Sequence, residues 1–169
     1  MKKFIFPIVA AVLMVVSCSR SAEHYVHVLP EVVVVSYGNS GLPAVTPEMA
    51  GRLVVEPVID SSAVKAYDKL PVKPMHKDAE ADEFAKEMNR NAIYPAAARR
   101  AGHCGKTVVS FVVGKDGSVC NAKVLQSSWD ELDKPVFNFV SHSKGWTPAT
   151  RFGKPVETTL IMPINYQLR

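Results

Sequence analysis

Residues 106–117, KTVVSFVVGKDG, restrict the fold more than any other stretch of this chain. The first eight are dominated by β-branched and aromatic side chains, which suit a pleated, half-buried surface. Thr107, Val109, Phe111 and Val113 share one face, and Val108, Ser110 and Val112 share the other. Gly114-Lys115-Asp116-Gly117 then supplies the positive-φ residues that a tight hairpin needs. Residues 118–125 therefore return as the antiparallel partner. In that register Cys120 faces Phe111, seven residues along the first strand from Cys104. At ~3.3 Å per residue this exceeds about 20 Å, against at most ~7 Å between the Cα atoms of a disulfide. Cys104 and Cys120 are expected not to be bonded to each other.

Helical periodicity brackets this hairpin. Residues 81–92, ADEFAKEMNRNA, place Phe84 and Met88 one turn apart, with Asp82 and Glu83 in the first turn and Arg90 in the last. That is an amphipathic helix aligned with its own dipole. Tyr94-Pro95 breaks it, because a residue before proline avoids the helical region. Pro95 opens a second helical piece, PAAARRA, closed by Gly102. Farther along, Asp133 as N-cap would put Pro135 in a first turn, with Val136, Phe139 and Val140 on one face. The rival cap, Ser128 with Glu131, would leave Pro135 inside the helix at a cost of about 3 kcal/mol. The Asp133 start is therefore the expectation, with Gly145 ending the helix and 146–149 forming a loop. A last strand over 156–168 contains Pro163. Proline within a strand marks an edge or bulge, so this strand is expected at an open sheet edge.

The chain's beginning reads differently. Lys2 and Lys3 precede an apolar run over residues 4–16, the length of a secretory h-region and short for a membrane span. It closes on Val15-Val16-Ser17-Cys18, which resembles a bacterial lipobox, so Cys18 is expected to be the lipidation site, residues 1–17 a lipoprotein signal peptide, and the protein a membrane-anchored lipoprotein facing the periplasm. The competing reading is an ordinary cleaved signal with Cys18 an incidental thiol. Processing would remove both lysines and lower the formal charge from +4 to +2. With no basic run, that excludes a nucleic-acid footprint. Residues 18–77 read as a tether with an extended segment. Within it, 31–37 is a valine strand, 38–47 a Gly/Pro/Asn/Ser loop, 52–59 a second apolar run broken by Pro57, and 69–74 (KLPVKP) linker-like.

Nothing in the sequence assembles catalytic chemistry. His103 and Cys104 are adjacent rather than opposed across a site, and the five histidines lack metal-ligand spacing. Asp130, Glu131 and Asp133 cluster at a helix start, where acidic groups stabilise the dipole. No phosphate loop or dinucleotide fingerprint is present. The expectation is a non-enzyme with no cofactor, no metal and no small-molecule substrate.

A series of short motifs in residues 78–169 does carry information. Asn91-Ala92-Ile93-Tyr94-Pro95 is followed by Ala98 and Gly102, then by Gly105-x-Thr107-x-Val109-x-Phe111-x-Val113 and Asp116-Gly117. Leu132-Asp133, Trp146-x-Pro148-Ala149, Gly153-Lys154-Pro155-Val156 and Pro163-Ile164-x-Tyr166-x-Leu168 complete the series. In order and spacing this resembles the C-terminal domain of the TonB energy-transducer family. The resemblance implies an α+β fold: two helical segments on a three-stranded antiparallel sheet, first strand central and last strand at the edge. It implies structural roles for Tyr94, Pro95, Gly105, Gly117, Pro148, Gly153 and Pro155. It implies a binding surface on the last strand, formed by Val156, Glu157, Thr158, Thr159, Leu160, Ile161, Met162, Pro163, Ile164, Asn165 and Tyr166. There a segment of a TonB-dependent outer-membrane receptor would add as an extra strand, in support of energy-dependent transport across the outer membrane. The bland reading of Trp146 is a packing aromatic, and Val109 and Phe111 read as core. Three departures stand out: a lipobox replaces an uncleaved membrane helix, no long proline-rich spacer precedes the domain, and Pro135 replaces an ordinary helix former. The first two favour an alternative role, a membrane-tethered scaffold or regulatory lipoprotein that sequesters strands without transmitting force.

The valine strand bears on both roles. LPEVVVVSYGNS (29–40) is similar to the EVVVVGYG segment near the plug of SusC-type TonB-dependent receptors. Glu31, Val32, Val33, Val34, Val35 and Tyr37 are thus a candidate donor strand. It could add to this chain's own edge, to a neighbour's edge in self-association, or to the edge of a TonB protein. The alternative is a strand of a small subdomain shared with residues 52–59.

Overall fold

A computed structural model describes residues 25–37, 44–51 and 56–169. Cys18, the signal-like segment, most of the loop after Tyr37 and part of the second apolar run lie outside these residues. The elements in chain order are β1 (Val26–Val28), β2 (Val32–Ser36), α1 (Ser61–Asp68), β3 (Met75–His76), β4 (Ala79–Glu80), α2 (Ala81–Asn91) and α3 (Ala96–Ala101). They continue with β5 (Gly105–Val113), β6 (Val119–Gln126), α4 (Asp130–Ser141), β7 (Trp146–Thr147), β8 (Ala149–Arg151), β9 (Lys154–Val156) and β10 (Thr158–Leu168).

The β5–β6 hairpin forms where the sequence places it. Gly117 sits at its turn with φ 78°, and a Cβ there would lie 2.3 Å from the Trp146 carbonyl oxygen, so only glycine fits. The register differs from the simple count. Cys120 faces Val112, not Phe111, and irregularities at Val108/Val109 and Ser110/Val112 lengthen β6 relative to β5. Asn121, at φ 51°, occupies the bulge opposite Phe111. The conclusion about the cysteines survives, since Cys104 is a free, buried thiol.

β5 is central, between β6 and β10, as expected. The expected open edge at β10 is not found. β10 pairs antiparallel with β5 on one side, and on the other it pairs parallel with both β1 and β2, giving a five-stranded sheet. Short ribbons β4–β3–β7 and β8–β9 lie beside it.

One face of the sheet carries the main core. Val109, Phe111 and Val113 from β5 and Leu160, Met162, Ile164 and Tyr166 from β10 meet Phe84, Ala85 and Met88 of α2 and Leu132, Val136 and Val140 of α4. Trp146 packs there too, its ring centroid 5.0 Å from that of Phe84. On the other face Val108 and Ile161 meet Val26 and Ala63. α1, which the sequence reading left unassigned, packs against β1.

α4 begins earlier than argued. Trp129 is its N-cap and Pro135 lies inside it, so neither Asp133 nor Ser128 caps the helix. Asp133 is instead buried in the helix, accepting a hydrogen bond from Thr107 Oγ1 at 2.8 Å. Ser128 Oγ donates to the Lys106 carbonyl. The proline removes one helical donor, but Leu132, Val136 and Val140 are fully buried on one stripe. Each such side chain contributes about 1.5–3 kcal/mol, enough to outweigh the ~3 kcal/mol local cost. The helix ends at Ser141, ahead of Gly145.

Candidate functional site

The outer side of β10 is where the resemblance places partner binding, and it is occupied by the chain's own N-terminal strands. Val26, His27 and Val28 stand opposite Thr159, Leu160 and Ile161. Val32 through Ser36 stand opposite Ile164 through Leu168. The amide of Thr159 donates to the Tyr25 carbonyl at 2.8 Å, the Leu29 amide to the Ile161 carbonyl at 2.8 Å, and the Arg169 amide to the Ser36 carbonyl at 3.0 Å. Backbone groups alternate along a strand, so the main chain of 159, 161, 163, 165, 167 and 169 faces outward. Pro163 falls on that outward set, and it has no N–H to give. The covering strand breaks at the same point: β1 ends at Val28, β2 starts at Val32, and Pro30 lies between. The missing donor therefore faces the gap between two covering strands rather than open solvent.

The valine run divides by face. Val32, Val34 and Ser36 are buried, whereas Val33 and Val35 are 40% and 36% exposed. Leu29, Val32 and Val34 belong to the main core with Phe84 and Met88. A run of valines with no polar alternation still makes a one-sided strand, because burial is decided by what lies under each residue. Of the second apolar run, residues 56–59 are not a strand and so do not pair with Val32–Ser36, while 52–55 lie outside the described residues.

The two halves of the cover are fixed by different chemistry. Beside β1, Arg151 Nη1 donates to the Tyr25 hydroxyl at 2.7 Å. His27 Nε2 lies 2.7 Å from Asp82 Oδ1 in the first turn of α2, and its ring stacks on Tyr67 of α1 with centroids 4.4 Å apart. Among the described residues, the ion pair at β2 is an exposed one at its start, Glu31 Oε1 to Lys106 Nζ at 3.3 Å. Beyond its end, Tyr37 is 72% exposed.

Most of the partner-binding residues expected from the resemblance are core by their side chains. Thr158, Leu160, Ile161, Met162, Ile164 and Tyr166 are buried, Val156 belongs to β9, and Glu157 lies between the two strands. What they present outward is main chain, and that is already paired. The Tyr166 hydroxyl has no hydrogen-bond partner, and burial pushes its pKa up to about 12.

The motif residues hold the frame. Tyr94 is buried, its hydroxyl donating to the His103 carbonyl and its ring edge-on to Tyr166 at 5.3 Å. Pro95 is the N-cap of α3. A Cβ on Gly105 would lie 2.6 Å from Ser128 Oγ. Pro148 separates β7 from β8, Gly153 turns the β8–β9 hairpin, and Pro155 faces Thr150 across it. His103 pairs with Glu131 at 2.6 Å and stacks on Trp129, so the His-Cys dipeptide is structural. Cys104 lies against the Val45 carbonyl, and burial pushes its thiol pKa up, which disfavours a nucleophilic thiolate.

Tyr25, His27, Arg151 and α1 were not singled out from the sequence. A signal for α1 was present: Asp60 before Ser61-Ser62, with Ala63 and Tyr67 one turn apart. Asp60 indeed caps the helix, accepting from the Ser62 amide at 2.8 Å.

Comparison with known proteins bears on this frame. Residues 90–168 match the family model described as "Gram-negative bacterial TonB protein C-terminal". A curated relative, "Protein TonB" of Haemophilus influenzae (strain ATCC 51907 / DSM 11121 / KW20 / Rd), is 45% identical over 67 residues. That alignment covers 38% of this chain and 25% of the relative, so the chain spans about a quarter of the relative's length. No solved structure matches. The hairpin, α4 and β10 all fall within the matched span, so the part of the chain that matches the TonB C-terminal family model is the sheet of β5, β6 and β10 with its covering helix.

Proposed function

We propose that this protein acts in the bacterial envelope, on the periplasmic side and tethered through Cys18. In this reading it binds extended segments of TonB-dependent outer-membrane receptors by strand addition to the outward main chain of 158–168, in support of energy-dependent transport. The observation that carries the reading is the parallel pairing of β2 with β10, because β2 is the segment whose sequence resembles a receptor segment. A strand acceptor reads main-chain hydrogen bonds for affinity and alternate side chains for selectivity. Here the alternate positions are those of Val32 and Val34 over the core, with an acidic residue before them near Lys106. An incoming segment of the pattern acidic-Val-x-Val would satisfy the same places.

Such a segment must displace a resident strand held at an effective concentration of order mM. The occupied edge supports a second reading, the tethered scaffold or regulator that sequesters strands without transmitting force. Crosslinking to inner-membrane motor proteins separates the two, since only a transducer needs that contact.

Strand addition itself is tested with the full chain carrying Val34→Asp, which expels β2 from the core, and a synthetic peptide of residues 29–40. Expected are amide shifts along 164–169 with this peptide, none with a scrambled one, and weaker binding to the wild-type chain. Absence of binding by the variant would remove strand addition at β10 from consideration.

A further inference from the structure

A groove of about 850 Å³ opens between α1 and the β8–β9 hairpin, away from β2. Lys65 of α1, Lys69 at its C-cap one turn on, and Arg151 of β8 line it, and among the described residues no carboxylate or amide side chain does. Its floor is apolar, with Leu70 and the ring of Tyr25 both buried. At its rim stands Phe152, 86% exposed, with the Arg151 guanidinium over its ring at 5.0 Å.

Phe152 is out of place by every local rule. It occupies the first turn position of a two-residue hairpin at φ 51°, before Gly153 at φ 74°. Such turns favour Asn or Asp followed by Gly, and a bulky residue at positive φ is an outlier that costs about 1–3 kcal/mol. Burial of the side chain does not repay that cost, and the ring stands at the groove's rim where a partner could meet it.

We propose that this groove docks a peptide segment of a partner protein in which an aliphatic or aromatic side chain is flanked by carboxylates. Lys65 and Lys69 match the carboxylates, and the floor and Phe152 match the apolar side chain. A carbohydrate fits less well, because the described lining residues lack the carboxylate and amide groups that hydrogen-bond sugar hydroxyls. The site shares no side chain with the valine positions of β2, so it stands or falls separately from strand addition.

The test titrates the full chain with a short, end-capped peptide of central leucines flanked by glutamates, read by backbone amide shifts. Expected are saturable shifts at Lys65, Lys69, Arg151 and Phe152, with affinity falling as salt rises. A peptide with glutamines in place of the glutamates should bind about tenfold more weakly, as should the Lys65→Glu/Lys69→Glu variant, from two exposed pairs at up to ~1 kcal/mol each. Phe152→Asn suits the turn better, so it should bind about threefold more weakly or worse while its thermal midpoint holds or rises. Equal binding of the glutamine peptide, unaffected binding by either variant, shifts confined to β2 and β10, or no saturable binding would each overturn the proposal. So would co-sedimentation with anionic phospholipid vesicles in the absence of saturable peptide binding, which would make the groove a lipid contact.

Discussion

β1 and β2 cover the same strand in the same orientation, yet they are held by different means. β1 is short and adds directed polar contacts to the burial of Val26: Arg151 on Tyr25, Asp82 on His27, and the stacked Tyr67 ring behind it. β2 is longer and held by burial of Val32 and Val34 beside Leu29, with one exposed ion pair at its start and a bare tyrosine past its end. Directed contacts fail one at a time and tolerate no substitute of different geometry. Burial of two valines is indifferent to where the valines come from. The difference teaches where the proposed exchange belongs: strand addition, if it occurs at this edge, replaces β2 and leaves β1 as the anchor.

The sharpest way to break this comparison is Val34→Asp. A carboxylate in that core position costs several kcal/mol unless the strand leaves, so the outward amides of Asn165, Gln167 and Arg169 should lose two to three orders of magnitude of hydrogen-exchange protection, roughly 3–4 kcal/mol. The Thr159 amide, bonded to Tyr25, should keep its protection. Uniform loss from 159 to 169 would mean that β1 and β2 open as one.

His27→Ala asks the converse question. Loss of the Asp82 contact and the Tyr67 stack should cost about 1–2 kcal/mol. The loss should appear at Thr159 and not at Gln167.

Tyr166 sharpens the β2 side, since it lies opposite Val34 with an unpartnered, buried hydroxyl. Tyr166→Phe should be neutral or stabilise by about 1 kcal/mol, because it removes an unsatisfied group. The hydroxyl's raised pKa also gives a sign. Stability from keeping Tyr166 neutral is complete below the ordinary tyrosine value near 10 and is lost as pH rises toward about 12. The variant should therefore flatten the fall in denaturation midpoint between those pH values.

The smallest effect belongs to Glu31→Gln. The pair with Lys106 is exposed at both ends, so its loss should cost less than ~1 kcal/mol and vanish at high salt. A larger, salt-resistant effect would mean that β2 has a polar latch after all.

Much of the frame was legible because local signals agreed with the fold. Alternating β5 residues, Gly117 in a forced turn, Phe84 and Met88 a turn apart and Gly102 at a helix end each permit one local structure. The errors arose where local rules were outweighed from a distance. Pro135 argued correctly for a cost, but Leu132, Val136 and Val140 repaid it from the sheet side. Pro163 argued correctly for a missing donor, yet the inference that the strand was open ignored a partner that breaks at the same residue. The donor segment was visible as a strand, and its own edge was among its possible mates, but no local pattern chooses a mate over a hundred residues away. Arg151 with Tyr25, and His27 with Asp82, left no trace, because such pairs are fixed only when the fold brings them together.

Pro163 has one more consequence. A strand without a donor at its middle divides its outer ladder into two cooperative units, so opening at Val32–Ser36 need not propagate to Val26–Val28. Because β1 stays fixed before it and α1 after it, a released β2 becomes a closed loop rather than a free tail. Such a loop cannot diffuse away, and its return is a local search of a few tens of ångströms at most, about the reach of a coil that short.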